Sequence, residues 1–139
     1  MNKKAFTMFE LLLVIVVCGM LALVLMPKYL NLSKHSELQS RDAVIGAVRA
    51  GIIYHHAKEL VENDVKGKYP SELDKISGEN ISCSPENRCF EDVMINPVES
   101  QAWKKLSAYQ YQFNSGSGIF IYVYDPQTGS FELAADANN

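Results

Sequence analysis

The sequence predicts an α+β chain in which a long N-terminal α-helix, membrane-spanning in its first half, packs through its second half on a small C-terminal antiparallel β-sheet. Three observations predict it. The stretch from Phe6 to Met26, FTMFELLLVIVVCGMLALVLM, is apolar except for Thr7 and Glu10. Residues from about Tyr29 to Asn63 keep a helical period, whereas apolar and polar residues alternate from Tyr109 onward. Between them, 65–108 reads as a connecting loop region that holds Cys83 and Cys89.

At about 1.5 Å per residue the apolar run is about 30 Å long, enough for a helix (6–26) to cross the hydrocarbon core of a bilayer. Lys3 and Lys4 precede it, so the positive-inside tendency leaves everything after Met26 on the far side of the membrane. A secretory signal peptide would end in a small-residue cleavage pattern. Ala22, Leu23, Val24, Leu25 and Met26 instead run directly into Pro27 and Lys28, so the segment is expected to stay on the protein. A carboxylate inside hydrocarbon costs about 2.5–3.5 kcal/mol by insertion scales. Glu10 therefore asks for a partner, unless it lies shallow enough to reach the headgroups.

Pro27 lacks a backbone donor and should soften the helix locally before an amphipathic continuation over 27–64. That continuation carries two stripes. Leu38, Ile45, Val48 and Ile52 form a bulky face; Ala43, Ala47, Ala50, Tyr54, Ala57 and Val61 form a second face of mostly small residues, offset by about 200°. A second apolar face needs another surface to cover it. The bulky stripe is expected on this chain's own sheet and the small one against a neighbouring subunit. The polar run Glu62–Lys68 should stop the helix.

Ser71 is then expected to cap a short helical turn through Ile76, with Glu72 and Asp74 in its first turn. Gly78 to Val93 reads as a loop. Tyr109, Tyr111 and Phe113 alternate as a half-buried strand, Asn114–Gly118 turns, Ile119 to Tyr124 is a strand apolar on both faces, Asp125–Gly129 turns again, and Ser130 to Leu133 is a third strand. This predicts an antiparallel meander whose middle strand is covered on both sides, followed by a mobile tail from Ala134 to Asn139.

With 139 residues and 47% hydrophobic content the chain has room for one compact domain and one long helix. Its formal charge is −3, with 13 basic and 16 acidic side chains, which argues against general nucleic-acid affinity. Lys104 and Lys105 beside Trp103, with Tyr109 and Tyr111 nearby, offer a small basic-aromatic patch or a solvated turn beside core aromatics. In an oxidising compartment Cys83 and Cys89 should pair, and two cysteines without a nearby histidine fall short of a zinc set. Cys18 reads as a small apolar residue. His35, His55 and His56 read as packed or solvated, not as ligands. Asp125, Glu132 and Asp136 are too scattered for a calcium loop. No serine elbow, zinc helix or phosphate loop is present, so neither catalytic residues, nor a metal, nor a cofactor is expected.

Lys3-Lys4-Ala5-Phe6-Thr7-Met8-Phe9-Glu10 and the apolar run after it closely resemble the class III signal of type IV prepilins and pseudopilins. The resemblance extends through Pro27 and Lys28-Tyr29-Leu30-Asn31-Leu32, which look most like pilins of the mannose-sensitive haemagglutinin type. It covers about the first thirty residues, and Ala5, Met8 and Phe9 depart from the commoner glycine, leucine and isoleucine. It implies a type IV pilin-like fold and removal of a leader (1–5) by prepilin peptidase between Ala5 and Phe6. Phe6 would then be N-methylated, and filament assembly would depend on Phe6, Glu10 and Pro27. The implied function is a structural subunit of a type IV pilus-like filament, with other pilin subunits, an inner-membrane platform protein and an assembly ATPase as partners. The alternatives are a pseudopilin of a type II secretion system or a minor pilin in adhesion or DNA uptake. The implied location is the bacterial inner membrane before assembly, with the C-terminal domain periplasmic, and an extracellular pilus or periplasmic pseudopilus afterwards.

Overall fold

The computed structural model describes residues 7–62 and 67–136, the side chains of 24–34 and 135 excepted. Lys3, Lys4, Ala5 and Phe6 lie outside the described residues, as do most of the expected helix stop at 63–66 and the last three residues. The chain is an α+β protein with one helix, α1 (Met8–Glu62), and five strands among the described residues. It divides into two compact units, Met1–Ser36 and Glu37–Asn139.

In the first unit Thr7 starts the helix. Its carbonyl accepts from the N–H groups of Glu10 and Leu11, and its Oγ1 accepts from Glu10 N–H at 3.3 Å. Threonine at the cap with glutamate three residues on is the capping-box spacing, which the sequence reading passed over. From Met8 to Leu23 every side chain is exposed, Met8 by 90% and Leu23 by 75%. Among the described residues no helix is long and apolar enough to cross a membrane. The expected span reaches Met26, but its described side chains end at Leu23, short of the ~20 residues a crossing needs. The backbone remains helical through Pro27 as part of a single element, as one long helix requires.

In the second unit the strands β1 (Ile81–Ser82), β2 (Trp103–Ser107), β3 (Gln110–Ser115), β4 (Gly118–Asp125) and β5 (Ser130–Asp136) form one antiparallel meander in chain order. Three strands were expected and five are present. The strand β2 is hard to read because Lys105 takes an inward position between Trp103 and the bulge near Ser107, masking the period of two. The expected mobile tail is also corrected: residues to Asp136 pair with β4, Asp136 opposite Phe120, after a register shift between Ile121 and Tyr122. Tyr109 sits in the β2–β3 turn, where its carbonyl accepts from Tyr124 N–H.

One face of the sheet carries Trp103, Tyr111, Phe113, Tyr122, Tyr124 and Phe131, all buried with Ile45, Val48 and Ile52 of α1. This is the bulky stripe, with Leu38 half-buried at its end. The rings interlock: Phe90 meets Trp103 edge-on at 5.5 Å, and Tyr122 stacks on Phe131 at 5.5 Å. The other face of β4 is less covered than expected, with Ile121 and Val123 half-buried and Ile119 exposed. Strand β5 is an edge. Arg49 Nε on α1 donates to the Phe131 carbonyl there at 2.9 Å.

Candidate assembly surface

The segment between helix and sheet is fastened from below by one buried acid. Asp74 Oδ1 accepts from Lys105 Nζ at 2.7 Å and from Ile76 N–H, while Oδ2 accepts from Tyr111 O–H at 2.8 Å and Phe90 N–H at 3.3 Å. Lys105 Nζ also donates to the Ile76 carbonyl at 2.8 Å. Both charged side chains are essentially inaccessible, 2% for Lys105 and 0% for Asp74. Burying two ions is costly, and this geometry offsets the cost by satisfying each charge with several bonds.

Two sequence expectations fall here. No helical turn forms over Ser71 to Ile76, because the Asp74 carboxylate is spent on distant donors and Leu73 is buried. No basic-aromatic patch exists either, since Lys105, Trp103 and Tyr111 are all core residues. Burial, then the Asp74 charge, raises the Tyr111 hydroxyl far above the ordinary phenol range.

Asp74 also helps to hold an unusual backbone. Phe90 is fully buried with φ of 63°, a conformation that bulky residues rarely adopt, and its N–H points at Oδ2. The Val93 and Met94 N–H groups donate to the Phe90 carbonyl, forming a turn, and Lys75 pairs with Asp92 at 3.3 Å. The disulfide between Cys83 and Cys89 closes the preceding loop, its Cα atoms 5.5 Å apart and both cysteines buried.

This turn sets the 93–96 segment against the outward side of α1. Gly51 is required there, because the Val93 carbonyl occupies the place where a Cβ would stand. The result is a groove of about 520 Å³ lined by Ala47, Ala50, Gly51, Tyr54, Val93, Met94, Ile95 and Asn96. Ile95 is fully exposed, Tyr54 is 72% exposed, and Val61 is 86% exposed. The small-residue stripe from Ala43 to Val61 is thus left open by its own domain. The sequence showed the helix side of this groove. The 93–96 wall has no periodic signal and was not anticipated.

Other candidates have structural employment. His56 stacks on Tyr69 at 4.2 Å, and the Nδ1 atoms of His55 and His56 are buried without a hydrogen-bond partner. Asp125 caps its own turn: Gln127 N–H and Thr128 Oγ1 donate to it, and these bonds hold its carboxyl below the usual range. Glu132 lies opposite Val123 and Asp136 opposite Phe120. Among the described residues no group of three or more His, Cys, Asp or Glu is placed to hold a metal. Glu10 is exposed in the first turn of α1, Cys18 is a free exposed thiol, and Ala5 and Phe6 lie outside the described residues. No protein family, curated protein or solved structure matches the chain.

Proposed function

We propose that the chain is a structural subunit of a type IV pilus-like filament, anchored in the inner membrane by its N-terminal helix before assembly. The observation that carries this reading is the leader-like Lys3-Lys4-Ala5-Phe6 followed by Glu10 and an apolar run. An apolar helix with every described side chain from Met8 to Leu23 exposed supports it, because such a surface in water demands cover from lipid or from other helices. The open small-residue stripe of the second unit supports a further subunit contact.

Function on this reading is assembly, not catalysis. Prepilin peptidase cuts between Ala5 and Phe6, and the new amino terminus is methylated. The platform protein and assembly ATPase then move the helix from lipid into a bundle of neighbours. Glu10 pairs there with the Phe6 amino group of an adjacent subunit. A buried pair of this kind sets register more than strength, because removing one partner leaves the other uncompensated at about 3–5 kcal/mol.

Electron microscopy and mass spectrometry of sheared surface filaments test the proposal. Abundant peptide beginning with methylated Phe6 is the expected result. An unprocessed chain that never leaves the membrane would overturn it, whereas processed chain absent from long filaments would move it to a pseudopilus or a minor subunit.

A further inference from the structure

We propose that Lys105 and Asp74 become joined by an intramolecular isopeptide bond, formed by the folded domain itself. The reacting groups are already in contact, with Nζ 2.7 Å from Oδ1 and both side chains shut away from water. They are held by different elements, Lys105 by β2 and Asp74 by the segment after α1, so folding alone brings them together. Their surroundings are apolar: Phe90 and Tyr111 both bond Asp74, and their rings pack on each other at 4.4 Å. An environment that penalises two charges favours a reaction that removes both.

The two oxygens of Asp74 are held differently, which defines the chemistry. Oδ2 accepts from Tyr111 O–H and Phe90 N–H, two donors placed where charge develops when the carboxyl carbon is attacked. Oδ1 faces the amine. A proton passes from Nζ to Oδ1, leaving a neutral amine beside a neutral acid. The Nζ lone pair then forms a C–N bond to Cγ, and the C=O electrons move onto Oδ2. When the C=O bond re-forms, the C–Oδ1 bond breaks and Oδ1 leaves as water with a second proton from Nζ. No oxidant, reductant or co-reactant is consumed. The product amide retains an N–H for the Ile76 carbonyl and a C=O for Tyr111 and Phe90; only Ile76 N–H loses its acceptor.

The reading is independent of the filament assignment, because it concerns only the Glu37–Asn139 unit. Its test is peptide mass spectrometry of the full chain, taken with the Cys83–Cys89 disulfide formed and then reduced before digestion. The expected result is a branched peptide linking the Asp74 and Lys105 segments, lighter by one water than their sum and absent from Lys105→Arg. Separate, unmodified Asp74 and Lys105 peptides from the disulfide-bonded wild type would overturn the proposal. So would the branched mass persisting in Lys105→Arg.

Discussion

Lys105 lies where a strand pattern calls for an apolar residue, and that single substitution of chemistry explains much of the region around it. Lys105→Ala forbids the amide and leaves the Asp74 carboxylate buried without a counter-ion, so we expect a loss of about 3–5 kcal/mol or more in urea unfolding. Tyr111→Phe removes one hydrogen bond to Asp74 Oδ2, which persists as the amide oxygen, and should cost less, about 0.5–1.5 kcal/mol. Tyr124 adds a dependence on pH. Its O–H donates to the Pro70 carbonyl at 2.7 Å, and burial, then the charge of Asp125, pushes its pKa from 10.0 up to about 12. The unfolded chain gives up this proton first, so the stabilisation is fully present below pH 10 and is lost as pH rises to about 12. A urea midpoint that falls over that window in wild type, and falls less in Tyr124→Phe, is the expected outcome. None of these three roles was legible in the sequence. A lysine, an aspartate and a tyrosine meet across 31 and 37 residues, and no local pattern encodes such a meeting.

At the scale of elements the helix was the easiest part to read. Its bulky stripe of Ile45, Val48 and Ile52 was visible from spacing alone and is the buried one; its small stripe is the open one. Period carries that information because a helix presents the same face every three or four residues. The sheet was legible only where the alternation was clean, in β3, and where turn residues bracketed it, in β4 and β5. Strands β1 and β2 were missed, one for brevity and one for its inward lysine. The close approach of the Val93 carbonyl to Gly51 was not foreseeable, because nothing in the 93–96 segment marks it as the partner of a helix glycine. Gly51→Ala should therefore displace the 93–96 segment and destabilise the domain beyond the gain of about 1 kcal/mol in helix propensity. Ala47→Arg or Ala50→Arg points into the open groove instead. We expect the Glu37–Asn139 unit to keep its unfolding midpoint with either change while the full chain loses filaments in electron micrographs. An unfolded unit would show that this face is structural.

For the whole molecule, the two compact units ask for different solvents. The first exposes an apolar helix and the second has an aromatic core of its own, so detergent dependence should reside in the first. The cross-link between Cys83 and Cys89 closes a short loop, and its reduction should lower stability by about 2–3 kcal/mol. The bond from Arg49 to the Phe131 carbonyl has a consequence at this scale as well. A meander ends in two unpaired edges, and an open edge is a template on which another copy can add a strand. One edge here is only two residues long, and the other has a carbonyl already taken by a guanidinium from the helix. If copies stand side by side as the filament proposal has it, these two edges discourage zipping through the sheets into fibrils and leave association to the helix.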